Sequence, residues 1–191
     1  MSGFGLRQCQ CQIEGRITRA LPPRYRTAQL SDFDSDVQQR TLAWLEKPSD
    51  GLLITGSTGT GKTHLAAAIL RECLLRERRA IFRRFADLFA ALCETYRTKA
   101  SEGDVLKEYF GVSFLLLDDL GSGSLSDHER RNTLEILDQR LNRRLPTVVT
   151  TNLELDAIAR LMDDRIASRL AGFSYFQLSG PDRRLCTRTK G

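Results

Sequence analysis

Long apolar runs are missing from this chain. A helix needs about 18–20 consecutive apolar residues to cross a bilayer, and no stretch approaches that. The first residues also lack the apolar core of a secretory leader. Both absences point to a soluble, cytoplasmic protein with no membrane partner. Cysteine is sparse and poorly placed for a disulfide framework: Cys9, Cys11, Cys73, Cys93 and Cys186 are five in number and widely spread. Cys9 and Cys11 lie too close, and no second Cys/His pair completes a tetrahedral metal site. Residues 1–24 therefore read as an irregular, reduced segment, broken by Leu21-Pro22-Pro23. There is no internal repeat and no long low-complexity tract.

Acidic residues are also in deficit. Asp and Glu number 24 against 29 Lys and Arg, for a net charge of +5. The excess is local: Arg71, Arg76, Arg78, Arg79, Arg83 and Arg84 are opposed nearby only by Glu72 and Glu77, and Arg183, Arg184, Arg188 and Lys190 crowd the end of the sequence. Such clusters either attract phosphate backbones or simply solubilise a face.

What is present is enough for one domain with a proper core: 191 residues, 41% of them hydrophobic. A helix is expected over 31–47, capped by Ser31 or Asp32 and closed by Pro48. From residue 51 the pattern alternates. Short apolar runs at 51–55, 80–82, 113–117, 146–151 and 175–178 read as buried strands. Stretches with apolar residues three or four apart, at 62–77, 86–97, 104–110, 126–144 and 154–170, read as helices. Strands alternating with helices imply a parallel sheet covered on both faces, an α/β fold of three αβα layers.

Between the first strand and the next helix stands Gly56-Ser57-Thr58-Gly59-Thr60-Gly61-Lys62-Thr63. This fits G-x-x-x-x-G-K-[ST], in the strand-to-helix context that the motif requires. The glycines let the backbone turn its N–H groups onto phosphate oxygens, and the helix that follows aims its positive dipole end at the same anion. Lys62 is placed to reach the β- and γ-phosphates of ATP, and the Thr63 hydroxyl to ligate Mg2+. His64 continues the segment.

A phosphate loop needs an acidic partner to hold magnesium. Asp118 ends the apolar strand Leu115-Leu116-Leu117, and Asp119 follows it, placed to orient or deprotonate an attacking water. A strand lies between the loop and these acids. That suits the ASCE branch of P-loop ATPases, whose sheet order is 5-1-4-3-2 in sequence numbering. Strand four then inserts beside the loop strand, and its end, Thr150-Thr151-Asn152, faces the γ-phosphate. Asn152 is either a hydrogen-bonding group there or an ordinary turn residue. Arg165 and Arg169 stand four apart on one helix face, each a solvated charge or an arginine finger acting on a neighbour's ATP; Arg169 is the favoured finger.

Together these residues resemble the AAA+ ATPases of the DnaC/DnaI helicase-loader and IstB transposition-helper group. The resemblance spans about residues 20–184 and is carried by Gly-Thr-Gly-Lys-Thr-His-Leu-Ala (59–66), Leu-Leu-Leu-Asp-Asp-Leu-Gly (115–121), Val-Val-Thr-Thr-Asn-Leu (148–153) and Asp-Arg-Ile-Ala-Ser-Arg-Leu (164–170). It implies an AAA+ core of residues 31–184 without a C-terminal lid domain, preceded by a short N-terminal segment and adenine-side linker (1–30) and followed by a basic tail (185–191). It implies ATP with magnesium as the ligand pair, Asn152 as sensor I, and Arg169 as the finger in a ring or spiral of subunits. Tyr25 and Leu30 are implied neighbours of the adenine. The terminal Gly180-Pro181-Asp182-Arg183-Arg184 sits where relatives carry a Gly-x-x-x-Arg element. Residues 83–110 are similar to an insertion that grips single-stranded DNA, with Arg83, Arg84, Arg97, Lys99 and Lys107 along a backbone and Phe85, Phe89 and Tyr96 as stacking platforms or core. The sequence departs from the family at Ser122-Gly123-Ser124 and in its very short N-terminal region. The leading expectation is an ATPase that oligomerises on single-stranded DNA and loads a replicative helicase. The alternatives are an IstB-like helper on duplex DNA, or an ATP-switched adaptor with little turnover.

Overall fold

A computed structural model describes residues 10–48, 51–121, 123 and 125–183. Cys9, Ser122, Ser124, Arg184, Cys186, Arg188 and Lys190 lie outside them. The chain runs through α1 (Gln10–Ala20), α2 (Ser35–Glu46), β1 (Leu52–Thr55), α3 (Lys62–Leu75), β2 (Ala80–Arg84), α4 (Phe85–Thr98), α5 (Glu102–Gly111), β3 (Phe114–Leu120), α6 (Asp127–Asn142), β4 (Thr147–Thr151), α7 (Leu155–Leu161), α8 (Asp164–Ala171) and β5 (Ser174–Gln177). All five strands pair in parallel, in the order β2-β3-β4-β1-β5. This is the expected 5-1-4-3-2 sheet read from its other edge.

Two apolar layers sandwich the sheet. Leu52, Ile54, Leu116 and Val148 point to the face covered by α1, α2 and α3. Leu53, Leu115, Leu117 and Val149 point to the opposite face, under α4 to α8. This alternation explains the unbroken apolar runs: a strand buried on both faces has no polar position. Each fully buried Leu, Ile or Val contributes about 1.5–3 kcal/mol. Arg140 is buried as well, but its guanidinium donates to the carbonyls of Tyr109, Val112 and Pro146 and to Thr147 Oγ1, tying α6 to β4 and the end of α5.

Several expectations needed correction. The helix expected over 31–47 starts at Ser35 and is capped by neither Ser31 nor Asp32, which lie in a short 3-10 turn, but by Asp34, whose carboxylate accepts from the Val37 amide. Residues 10–20 form a helix, because Ile13 and Ile17 stand four apart and pack, with Leu21, on the α3 side of the core. Pro22 and Pro23 end that helix rather than exclude it, and Cys11 is disulfide-bonded rather than reduced. The expected helix 154–170 is two: the Asp163 carboxylate accepts from Arg165 N–H and caps a new start. Strand β3 continues through both aspartates to Leu120.

A candidate phosphate-binding and hydrolytic site

The carboxyl ends of β1, β3 and β4 open side by side, which is where open α/β sheets place their ligands. At the end of β1 the backbone turns through Gly56, Gly59 and Gly61, at φ 137°, 86° and 101°. These left-handed values are nearly closed to other residues. Thr60 Oγ1 donates to Ser57 O, pinning the turn, and Thr58 is exposed at its tip. Lys62 Nζ arches back over the loop and donates to Gly56 O at 2.7 Å and Ser57 O at 2.8 Å. The N-terminal end of α3, which begins at Lys62, adjoins this cradle. Its shape and charge fit a polyphosphate.

Asp118 sits beside it, only 4% exposed. Burial pushes its pKa up; hydrogen bonds from Thr150 and Thr63 pull the other way, and the neighbouring Asp119 charge adds to the rise. The Thr150 hydroxyl donates to Asp118 Oδ1 at 2.6 Å and accepts from the Asp119 amide at 2.9 Å. One β4 side chain thus fixes both acids of β3. A Thr hydroxyl and a buried carboxylate that already meet are suitable oxygen ligands for Mg2+. The donor set fits the ion that the loop implies.

Asp119 is exposed and left-handed, at φ 64°. The β3–β4 register shifts between Leu117 and Leu120, so the aspartate occupies a bulge that turns its side chain out of the ladder. The conformation costs on the order of 1 kcal/mol. Asn152 is exposed immediately after β4, which stands between β1 and β3. The sheet therefore gathers the loop, both aspartates and Asn152 at one end.

On the other flank, the first turn of α3 presents His64. Its Nε2 lies 2.7 Å from Asp32 Oδ2, and this bond, with one from the Gln29 amide, lowers the Asp32 pKa. The Tyr25 and Phe33 rings stand 6.5 and 5.8 Å from the imidazole. Tyr25 is thus beside the loop, whereas Leu30 is buried in the core. Asp32, Phe33 and Asp182 were not anticipated as site residues. The Arg183 amide donates to Gly59 O, its guanidinium reaches Asp32 O and covers the Phe33 ring at 4.5 Å, and the Asp182 carboxylate lies against Gly59. The arginine seen against the loop is therefore Arg183. No spacing rule could connect positions so far apart.

Arg165 and Arg169 lie on α8, away from this cluster. Arg165 forks onto Asp163; Arg169 donates to both oxygens of Asp138 on α6, at 2.8 and 3.3 Å. The expected nucleic-acid insertion is α4 and α5. Phe85 and Phe89 are 4% and 6% exposed and belong to the core, which removes them as stacking platforms. Tyr96 is 68% exposed, while Arg84, Arg97 and Lys107 are each paired three residues away, with Asp87, Glu94 and Asp104.

Asp118→Asn separates structure from chemistry. A carboxyl whose pKa is raised by folding contributes stability below its unfolded value, near 3.8, and loses it as pH rises through the folded value. The asparagine variant is expected to melt higher than the wild type at pH 7, by about 2–4 °C, and to show no gain below about pH 3.8. Thermal melts across pH check the sign.

Residues 20–171 match the profile of a family described as IstB-like ATP binding protein. The replicative helicase loader DnaC of Escherichia coli K12 is 33% identical over 119 residues, covering 62% of this chain and 49% of that protein. A putative insertion sequence ATP-binding protein, y4pL, of Sinorhizobium fredii is 31% identical over 153 residues, covering 77% and 61%. A crystal structure of the DnaC helicase loader superposes with a TM-score of 0.74 at 26% identity, covering 83% of this chain and 100% of that one. The chain spans about half the length of the DnaC proteins it matches. Among the described residues, no helix is long and apolar enough to cross a membrane.

Proposed function

The chain belongs to the IstB-like ATP-binding protein family, and on that premise we propose that it is a cytoplasmic AAA+ ATPase that assembles on single-stranded DNA and loads a replicative helicase. The convergence of Thr63, Asp118, Thr150 and Asp119 beside the glycine loop carries the enzymatic part of this reading. The loop N–H groups and Lys62 bind the phosphates of ATP. Tyr25 and His64 border the adenine end. Thr63 and Asp118 would hold Mg2+, which would supply positive charge against the phosphates during the reaction. Asp119 accepts a proton from water as its oxygen attacks the γ-phosphorus, and Asn152 orients that water. The bond from the γ-phosphorus to the bridging oxygen breaks, and its electron pair leaves with ADP. Arg169 of a neighbouring subunit, with Arg165 beside it, faces the transferring phosphate, so each site is completed at a subunit interface.

The helicase reading follows the DnaC likeness. Capture of the host's replicative helicase on this protein should require ATP and should be lost in Lys62→Ala, whose ATP affinity is expected to fall by at least about tenfold with the loss of a charge-assisted contact. Equal capture with and without ATP would overturn it. A second reading, a helper of DNA transposition acting on duplex, is favoured by the longer alignment to the insertion sequence protein. Stronger stimulation of turnover by duplex than by single strands selects it.

A further inference from the structure

The open edge of β2 carries a groove that the ATP site does not use. It has a volume of about 480 Å³, between α1 on one side of the sheet and α5 on the other. Arg16, Arg19, Arg79 and Arg83 line it, against a single acid, Glu108. A second hollow of about 330 Å³ shares Arg19, Phe82 and Arg83 with it, so the two form one channel along the strand. Among the described residues, no salt bridge joins Arg19, Arg79 or Arg83 to a carboxylate, and the buried Nε of Arg83 has no hydrogen-bond partner. Two strands, β3 and β4, separate the groove from β1 and its phosphate loop.

The backbone of β2 says what shape of ligand fits. The Phe114 amide donates to Arg79 O, so the peptide groups of residues 79, 81 and 83 face β3. In a strand successive residues alternate sides. The N–H and C=O groups of Ala80, Phe82 and Arg84 therefore point along the open edge. A row of alternating donors and acceptors is complemented by another extended polypeptide. A phosphodiester chain offers acceptors only and would leave the Ala80 and Phe82 carbonyls without donors. Nor is an aromatic face available for a base: Phe82, the aromatic residue lining the groove, packs its ring 6.3 Å from that of Tyr25.

We propose that the β2 edge is a docking site for an extended, acidic segment of a partner protein, which adds as a sixth strand beside β2 and sets its carboxylates on Arg19, Arg79 and Arg83. Charge excludes the nearest competitors. A second copy would oppose arginines with arginines, and the end of this chain, with Arg184, Arg188 and Lys190 and no acid after Asp182, has the wrong sign.

The test uses the full chain and a fluorescein-labelled twelve-residue peptide of alternating Glu and Val, read by anisotropy and by hydrogen exchange at the Ala80, Phe82 and Arg84 amides. The peptide is expected to bind and to protect these amides. Methylating alternate peptide nitrogens should weaken binding at least tenfold, as should the Arg19→Glu/Arg79→Glu variant, whose melting temperature and ATP affinity should match the wild type. Equal binding of a Lys/Val peptide, or indifference to the double charge reversal, overturns the proposal. So does displacement of the peptide from these amides by an oligothymidylate of similar length that binds more tightly, which would make the edge a nucleic-acid site. A change in subunit number caused by the double variant without peptide would make the occupant a second copy, and overturns it equally. Because ATP affinity is measured alongside, failure here leaves the ATPase reading intact, and failure of that reading leaves the edge as it is.

Discussion

Asp119→Asn is expected to lower ATP turnover by about 10²–10³-fold while leaving ATP affinity within a factor of about two. The substitution suits the site. Asparagine adopts the left-handed region as readily as aspartate, so the bulge at φ 64° survives. The Asp119 amide keeps its bond to Thr150, because that contact is made by the backbone. What disappears is the exposed carboxylate, the group proposed to take a proton from water. Asp118→Asn differs: that change also removes the carboxylate proposed to hold Mg2+, and it relieves a buried charge. Rapid-quench measurement of single-turnover hydrolysis separates the two, since only the Asp119 variant should retain magnesium-dependent ATP binding. Turnover within about threefold of the wild type would show that another group handles the proton.

The second large effect is on the arginine of α8. Arg169→Ala should leave ATP binding by the isolated chain unchanged and reduce hydrolysis in the assembled state by about 10³-fold, the scale of a lost finger. Its stability should change by only about 1 kcal/mol, because a half-exposed ion pair at the surface contributes little. The pair with Asp138 has another consequence. Two bonds hold the guanidinium plane in a fixed direction on α6, so it is oriented before a neighbour arrives. Arg169→Lys is therefore expected to recover little of the lost rate: a lysine keeps the charge but has no planar fork. Arg165, held by Asp163 two residues before it, should matter less.

These expectations rest on parts of the molecule that differ in how openly the sequence states them. The glycine loop is local: eight adjacent residues specify the turn, its charge and the helix behind it. The acids were legible because an apolar run gives way abruptly to two carboxylates, although the strand itself continues to Leu120, and the sheet order followed from the strand lying between loop and acids. The Thr150 hydroxyl that links Asp118 to the Asp119 amide was not legible, since its partners are about thirty residues away and become neighbours only when β4 pairs with β3. The same holds for Asp32 against His64 and Arg183 against Gly59 and Phe33. Helix α1 was hidden by composition, with Gly15 inside it and two prolines just after, although Ile13 and Ile17 carried the correct spacing. Phe85 and Phe89 were ambiguous in kind: aromatic residues at helical spacing serve a core or a stacked base equally well until burial decides.

Mixing two inactive variants tests the proposal that each site is shared between subunits. On this proposal Lys62→Ala binds ATP too weakly to turn it over but still offers its Arg169, whereas Arg169→Ala binds ATP but offers no finger. Combined at equal concentration on single-stranded DNA, they should regain turnover, at roughly a quarter of the wild-type rate if neighbours assort at random and a single contact completes each site. Steady-state phosphate release from the mixture that stays at the sum of the two separate variants would contradict the account, and would place the whole hydrolytic machinery within one chain.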